Sequence, residues 1–259
     1  MPVIPLAELD QIKSIFADGL KQPVKLDFFT QKPLTMLVPG REECQFCTDT
    51  QALLEDLARM STLLRLTVHE RGADKTLDAR LGIERVPATV IRGVLNRPVT
   101  FYGIPINYLF SPLIEALLLI SQNKAPLPAR AAKSLKRLHQ PVRVRVFVSP
   151  DSEFCGPMMT AAFAFAVESK QVRAEIIEVA EFPRLAERYG VQQVPFTVID
   201  DRAAFPGLVE PDVFADQIVK TATSRTLTAA PRGESSPLPR ADQPQRENVR
   251  PSGLIIPGR

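Results

Sequence analysis

Residues 44–47 read Cys-Gln-Phe-Cys, and the dipeptide Val86-Pro87 follows them further along the chain. The same frame occurs again as Ser-Glu-Phe-Cys at residues 152–155, followed by Val194-Pro195. In both copies the proline comes 43 positions after the first residue of the four-residue motif. A motif repeated at a fixed spacing is the signature of an internal duplication. The spacing therefore predicts two copies of one module.

The duplication extends well beyond the two motifs. Residues 44–91 align with residues 152–199 without a gap at an offset of 108, and 14 of the 48 pairs are identical. The first copy has both cysteines of its motif, whereas the second has Ser152 in place of the first one. We therefore interpret the first copy as a functional site and the second as a degenerate version of it.

The composition is that of an ordinary globular protein with room for two small domains. Of the 259 residues, 45% are hydrophobic and 24% are charged. No apolar run has the length of a transmembrane helix, and no basic segment with a long apolar stretch opens the chain. We expect no secretory signal, no membrane partner and a cytoplasmic location. Residues 223–259 alone account for the net charge of +3, so we expect no nucleic-acid partner.

Hydrophobic periodicity and turn residues predict a similar order of elements in both copies. The predicted strands are residues 24–29, 34–38, 63–68, 89–91, 99–102, 142–148, 174–179 and 197–199. The predicted helices are residues 6–20, 48–61, 74–80, 112–120, 129–139, 157–169, 182–189 and 212–220. We predict one unit over residues 1–122 and a second over residues 123–222. Residues 223–259 contain six prolines and few apolar residues, so we predict a disordered tail.

This order of elements is that of the thioredoxin fold. More narrowly, the chain resembles the protein disulfide oxidoreductases, which are glutaredoxin-like proteins with two fused thioredoxin-fold units. The resemblance covers roughly residues 6–222 and is carried by Glu43–Cys47, Arg85–Thr89, Phe101–Pro105, Glu181–Pro183 and Val194-Pro195. It implies an α/β fold class, a tandem duplication of two thioredoxin-like folds, and dithiol–disulfide exchange with protein substrates. Ser152 departs from the family pattern, because the family usually has both cysteines in the second unit too.

Cys44 and Cys47 are the candidate catalytic residues. Cys44 lies where a loop enters a predicted helix, and the unpaired backbone N–H groups and the helix dipole there stabilise a thiolate. We therefore assign Cys44 as the nucleophile and Cys47, one turn further along, as the resolving thiol. Glu42 and Glu43 add negative charge nearby, which opposes thiolate formation.

The resemblance also implies a substrate-binding surface around the first motif. In the resembled fold, the proline of the Val-Pro pair is cis and packs against the active-site disulfide. By that resemblance Val86 and Pro87 bind an extended substrate segment together with Gln45 and Phe46. The corresponding positions of the degenerate second site are Ser152, Cys155, Val194 and Pro195.

Two registers are open for the second motif. In the first, Ser152 and Cys155 lie opposite the two cysteines of the first copy, and the site serves packing or substrate docking. In the second, Cys155 to Met158 is a Cys-Gly-Pro-Met variant of the thioredoxin motif, and Cys155 is a nucleophile without a resolving thiol. We favour the first register because the second shortens the spacing to Pro195 from 43 to 40 positions. Monothiol chemistry at Cys155 is the alternative.

The residues leave other functions open. A lone C-x-x-C can be half of a zinc or iron–sulfur site, but zinc takes four ligands, and the remaining candidates, Cys155, His69 and His139, form no paired motif. We therefore expect no metal or other cofactor, and no catalytic histidine. A non-catalytic thioredoxin-like binding module would use the Val-Pro groove to hold an extended partner. A redox catalyst implies protein dithiol or disulfide substrates, and an electron donor such as a thioredoxin-reductase-like flavoprotein.

We predict that removing residues 223–259 leaves the melting temperature and the dithiol activity unchanged. A segment of this composition buries too little apolar surface to offset its conformational entropy. The short apolar segment Leu254–Ile256 is the one part that could dock onto the folded chain. Calorimetry of the full and shortened chains measures the effect, and a clear fall in melting temperature would show that the segment packs.

Overall fold

A computed structural model of the chain describes residues 6–31 and 43–224. The predicted strand at residues 34–38 lies outside these residues. So does the predicted disordered tail, apart from Thr223, which is helical, and Ser224.

The described residues form eight α-helices, eight strands and one short 3-10 helix. The strands are β1 Val24–Thr30, β2 Leu64–Glu70, β3 Ala88–Arg92, β4 Val99–Tyr102, β5 Val142–Val148, β6 Val172–Glu178, β7 Phe196–Ile199 and β8 Ala203–Pro206. The helices are α1 Leu6–Gly19, α2 Cys47–Arg59, α3 Lys75–Leu81, α4 Phe110–Gln122, α5 Ala129–Leu135, α6 Cys155–Glu168, α7 Pro183–Arg188 and α8 Pro211–Thr223. The 3-10 helix is Asn107–Leu109. Every element predicted within the described residues is present, with small differences in its ends.

Two differences from the sequence prediction have clear local reasons. α5 ends at Leu135 instead of residue 139, because the following N–H groups bond three residues back, as in Leu138 N to Leu135 O at 3.1 Å. Strand β8 was not predicted. Its hairpin turns at Asp200 and Asp201, which both have positive φ, whereas the usual signal for such a turn includes glycine.

The eight strands form one continuous sheet in the order β2-β1-β3-β4-β6-β5-β7-β8. Strands β1 to β4 belong to the first unit and β5 to β8 to the second. The units join where β4 pairs in parallel with β6, with Val99–Tyr102 opposite Ala174–Ile177. We propose the boundary between the units after Gln122, in the connection between α4 and α5.

The sequence repeat is reproduced by the elements. α2 and α6, β2 and β6, α3 and α7, and β3 and β7 each begin 108 positions apart. Ahead of the motifs the copies differ, because 13 residues separate Thr30 from Cys44 and only three separate Val148 from Ser152. The first unit therefore has the longer connection between its first strand and its motif.

Both motifs lie at the same edge of this sheet. The pairings make β1, β2, β4, β5, β6 and β8 mutually parallel, so their carboxyl ends lie at one edge. Residues 44–47 follow β1, and residues 152–155 follow β5. The antiparallel strands β3 and β7 begin at that edge, directly after Pro87 and Pro195. We call it the motif edge.

Apolar side chains cover both faces of the sheet. The larger core packs α1, α2, α4, α5, α6 and α8 on one face, and the smaller core packs α3 and α7 on the other. Successive residues of β1 alternate between them, with Phe28 in the larger core and Phe29 in the smaller one. α2 and α6 therefore lie on the same face, and each begins at the motif edge.

Each unit has a buried charged residue on its first strand. In the first unit, Asp27 is paired with Arg92 and with His69, whose Nε2 lies 2.9 Å from Asp27 Oδ1. In the second, Arg145 is paired with Glu175 at 3.0 Å. Buried charges need such partners because desolvation of an unpaired charge is costly. His69 thus has a structural partner on the neighbouring strand.

The matched pair Gly82 and Gly190 gives a test of the contact between units. Both have φ in the left-handed region, where a Cβ costs about 1–2 kcal/mol. A Cβ on Gly82 would also overlap the guanidinium of Arg173, which donates a hydrogen bond to Leu81 O, whereas a Cβ on Gly190 meets no atom within 4 Å. We therefore expect Gly190→Ala to lower the free energy of unfolding by about 1–2 kcal/mol, and Gly82→Ala to lower it by about 1 kcal/mol more. Urea denaturation measures both values, and equal losses would contradict the contact.

Candidate functional site

Cys44 and Cys47 are joined by a disulfide at the motif edge, with their Cα atoms 5.5 Å apart. Cys47 is the first residue of α2, Phe46 is its N-cap, and Gln45 lies in the turn between the cysteines. Cys47 is only 5% exposed, whereas Cys44 is half-buried. Cys44 is therefore the cysteine that a partner molecule reaches more easily, and Cys47 is the shielded one.

The backbone around the disulfide favours a thiolate. Thr50 closes the first turn of α2, because its N–H and its hydroxyl both donate to Phe46 O, at 2.9 and 2.6 Å. Phe46 offers no side-chain cap, so the first N–H groups of the helix point toward the motif without a cap from that residue. Such groups, together with the helix dipole, stabilise an anion at the helix start. The negative charge of Asp49 in the first turn opposes this effect.

A groove of about 850 Å³ lies beside the disulfide. Its walls come from the end of β1, the exposed side of α2 and the end of β2, with Thr30, Gln31, Glu43, Cys44, Gln45, Cys47, Thr48, Gln51, Ala52, Glu55, Val68 and Glu70 as the described lining residues. Three of these are glutamates, and Val68 is an exposed apolar side chain. The groove is large enough for several side chains of an extended segment.

Pro87 lies at the motif edge directly before β3, which pairs with β1 on the side away from β2. The Val86–Pro87 peptide bond is cis, Pro87 is buried and Val86 is half-buried. Ala88, directly after Pro87, pairs with Phe29 of β1, so Pro87 adjoins Thr30, which lines the groove. The fold therefore brings the predicted substrate-binding pair Val86-Pro87 to the same edge as the disulfide.

The second motif has the same backbone frame without a disulfide. Cys155 is the first residue of α6 and Phe154 is its N-cap, as Cys47 and Phe46 are for α2. This equivalence favours the register in which Ser152 occupies the position of the first cysteine.

Cys155 is enclosed by its surroundings. It is fully buried, its Sγ accepts a hydrogen bond from Ser149 N at 3.5 Å, and the Ser152 side chain also bonds to it. Burial raises the pKa of the Cys155 thiol, and these two hydrogen bonds oppose that rise only in part. Cys155 is thus held as a neutral thiol at neutral pH.

The other predicted residues of the second site lie at the same edge. The Val194–Pro195 bond is cis, and Pro195 O accepts a hydrogen bond from Gly207 N at 2.7 Å. Phe154 is 56% exposed although it is a large apolar side chain. The motif of the second unit thus presents an exposed apolar side chain but has no disulfide.

Sequence reasoning assigned no role to one group of residues at the junction of the units. Glu178, at the end of β6, is 2% exposed and accepts hydrogen bonds from the N–H groups that follow it. Glu181 accepts a hydrogen bond from Ile104 N in the first unit, and Phe182 packs against Tyr102. The segment Glu181–Pro183 carried part of the family resemblance, but nothing in its sequence indicates which residues it contacts.

The described residues, 6–31 and 43–224, contain no group of three or more His, Cys, Asp or Glu side chains arranged to hold a metal ion. His139 is exposed beyond the end of α5. No helix in that part of the chain is long and apolar enough to cross a membrane.

We expect Ser152→Cys to create a second disulfide, with Cys155, because residue 152 occupies the position of Cys44 and its side chain already reaches Cys155 Sγ. Mild oxidation of the wild-type protein should leave one free thiol of three, and the variant should retain none of four. Thiol titration under denaturing conditions, with monomers verified on non-reducing gels, measures both counts. Two free thiols in the oxidised variant would show that the second motif has diverged from the geometry of the first.

Comparison with known proteins identifies the fold. Residues 142–220, most of the second unit, match the thioredoxin domain family. The match therefore falls on the unit that lacks the C-x-x-C motif. Comparison with curated proteins gives no significant match.

Several solved structures have the same two-unit fold. The NTD_N/C domain of alkylhydroperoxide reductase AhpF from Enterococcus faecalis is 22% identical, with a TM-score of 0.73, over 83% of this chain and 99% of that chain. A protein disulfide oxidoreductase from Aeropyrum pernix K1 is 24% identical, also with a TM-score of 0.73, over 84% and 93%. Sso1120 from Sulfolobus solfataricus is 18% identical, with a TM-score of 0.55, over 75% and 96%. The chain is thus a tandem of two thioredoxin-like folds, and the predicted resemblance to the protein disulfide oxidoreductases is confirmed at the level of the fold.

Proposed function

We propose that the chain is a thiol–disulfide oxidoreductase that exchanges disulfides with protein substrates through Cys44 and Cys47. The observation that carries this proposal is the pair of cysteines joined at the start of a helix, at the same edge of a thioredoxin-like sheet as the cis Val86–Pro87 bond. A low-pKa thiolate and a nearby second thiol are what disulfide exchange requires. Cys44 is only half-buried and Cys47 is shielded, which fits the roles of nucleophile and resolving thiol.

The exchange proceeds in two balanced steps. The Cys44 thiolate attacks one sulfur of the substrate disulfide, a mixed disulfide forms, and the other substrate sulfur leaves as a thiolate that takes up a proton. The Cys47 thiolate then attacks Cys44 Sγ, which breaks the mixed disulfide and releases the second substrate thiol. Two electrons pass from the cysteine pair to the substrate, and the reverse sequence oxidises a substrate dithiol.

The residues around the pair are proposed to hold the substrate segment. Gln45 and Phe46 lie between the cysteines, and Val86 and Pro87 lie at the same edge of the sheet, directly before β3. An extended segment bound along this edge would present its sulfur to Cys44. Backbone pairing of this kind recognises many sequences, because main-chain groups supply most of the bonds.

The proposed partners are a protein substrate and an electron donor. Continuous reduction of substrates requires that the Cys44–Cys47 disulfide be reduced again, and we propose a flavoprotein similar to thioredoxin reductase for that step. The similarity in fold to an alkylhydroperoxide reductase and a protein disulfide oxidoreductase, both redox proteins by name, supports redox partners in general. We also propose that the protein acts in the cytoplasm.

A second candidate function, non-catalytic binding, is favoured by the second unit. That unit has a cis Val-Pro pair and an exposed Phe154 but no disulfide. We propose that it docks an extended polypeptide next to Pro195 without exchanging electrons with it. If the first unit acts in the same way, the whole chain is a binding module and its cysteine pair does not turn over.

We expect Cys44→Ser to abolish reduction of a protein disulfide such as insulin, because the attacking thiolate is lost. Cys47→Ser should retain the first step and accumulate a mixed disulfide with Cys44, which a thiol reductant reverses. Cys155→Ser is the matched control, and it should retain wild-type turnover because Cys155 is buried and has no partner cysteine. Insulin turbidity and non-reducing gels measure these results. Undiminished turnover in Cys44→Ser would refute the assignment.

A further inference from the structure

The second unit contacts the first through Glu181 and Phe182, which lie between β6 and α7. Glu181 Oε1 accepts a hydrogen bond from Ile104 N at 2.6 Å. The ring of Phe182 meets Tyr102 edge to face, with centroids 6.2 Å apart. The guanidinium of Arg85 lies over both rings, 5.2 Å from the Tyr102 centroid and 5.9 Å from that of Phe182.

Arg85 and Ile104 belong to two loops of the first unit, residues 85–87 and residues 103–105, which we call the peptide loops, and Tyr102 is the last residue of β4. Arg85 directly precedes Val86-Pro87 in the first loop. The second loop follows β4, and its Gly103 N donates to Pro87 O at 3.1 Å. The two loops are therefore hydrogen-bonded to each other at the motif edge, and the second unit contacts both.

The fit at the second loop is close. Gly103 has a φ of 111°, and a Cβ there would lie 2.7 Å from Glu178 Cβ and 2.8 Å from Glu181 Oε1. Glu178 in turn accepts hydrogen bonds from Ala180 N at 3.0 Å and Glu181 N at 2.7 Å. A chain of hydrogen bonds thus runs from the end of β6 through Glu181 to the peptide loop.

The equivalent loop of the second unit has no such neighbour. Gly207 N donates to Pro195 O, as Gly103 N does to Pro87 O, but β8 is the last strand of the sheet. A Cβ on Gly207 would meet no atom within 4 Å. Leu208 is 50% exposed, whereas its counterpart Ile104 is 7% exposed. Among the described residues, only the first unit, which has both cysteines, therefore has its loop after the fourth strand in contact with residues of the other unit.

We infer that Glu181 and Phe182 are positioning residues for the peptide loops, so that disulfide exchange with proteins at Cys44 depends on the second unit. The inference rests on the proposed function and gives the degenerate unit a role in it. A substrate segment that pairs beside Pro87 needs those loops in place. A small-molecule disulfide reaches Cys44 without using them.

The charge of Glu181 adds a dependence on pH. Burial raises the pKa of Glu181 to about 7; the hydrogen bond from Ile104 N lowers it, and the negative charge of Glu178 raises it. Asp151, in the loop before α6, acts on Glu178 in the same direction, and Glu178 also faces Cys155. The ionised carboxylate makes the stronger hydrogen bond, but the raised pKa shows that burial opposes the charge by more than this bond favours it. A carboxyl released to solvent has the lower pKa, so protonation favours the buried position, and the hold on the peptide loop strengthens as the pH falls through about 7.

The test compares Glu181→Ala and Glu181→Gln with Glu187→Ala, a control at an exposed position on α7. For each full-length protein we would divide kcat/KM for insulin by the rate constant for a small aromatic disulfide, because this ratio cancels changes in Cys44 reactivity. We expect Glu181→Ala to lower the ratio about tenfold, as for the loss of a hydrogen bond to a charged group. Glu187→Ala should stay within about twofold of wild type, as is usual for a surface change.

The pH profile separates positioning from general destabilisation. The wild-type ratio should rise as the pH is lowered from 8 to 6, because protonation of Glu181 favours its buried position. In Glu181→Gln, which keeps the acceptor oxygen but has no titrating group, the ratio should be constant over that range. Amide hydrogen exchange at Ile104, read by NMR, should be faster in Glu181→Ala than in Glu187→Ala.

An unchanged ratio in Glu181→Ala would overturn the inference, whether or not exchange at Ile104 is faster. A ratio that falls equally in Glu187→Ala would also overturn it. A wild-type protein inert toward both disulfides would refute the proposed function instead, and the exchange rate at Ile104 would then decide separately whether Glu181 holds the loop.

Discussion

The parallel pairing of β4 with β6 determines how the two units work together. It pairs β4, which would otherwise be an unpaired outer strand of the first unit, and such strands can associate with other chains. Its register, with Tyr102 opposite Ile177, sets both motifs on one edge of a continuous sheet. The same register puts Glu178 next to Gly103, and three residues later Glu181 reaches Ile104. Every contact that we assign to positioning follows from this one pairing.

Much of the fold was predictable because its signals are local. The ungapped repeat predicts equivalent elements at an offset of 108 positions, and four pairs of elements begin at that spacing. The strand β8 was missed because its turn at Asp200 and Asp201 lacks glycine. The single sheet was missed because two modules that pair through β4 and β6 leave no periodic pattern in the sequence. Long-range pairing depends on shape and register across the whole domain, which a local pattern does not contain.

The candidate site also contains residues that the sequence predicts and residues that it does not. Cys44, Cys47 and Pro87 were identifiable from residue type, spacing and resemblance, since thiol chemistry requires particular atoms at a helix start. Glu181 was not, because an acid becomes a positioning residue only through what it contacts in another unit. The two copies have accordingly diverged in different ways. The first keeps the thiols, while the second keeps the frame and, in our proposal, supports the loops of the first.

We propose that Cys44 and Cys47 form a cycling redox couple and not a fixed structural disulfide. The most direct measurement equilibrates the full-length protein in thiol–disulfide buffers of graded ratio, from both the reduced and the oxidised side. Alkylation and mass spectrometry then give the reduced fraction of the pair. We predict one two-electron transition, identical from both directions, with Cys155 a thiol throughout. A pair that stays oxidised across the whole range, or that fails to re-form its disulfide after reduction, would contradict the claim.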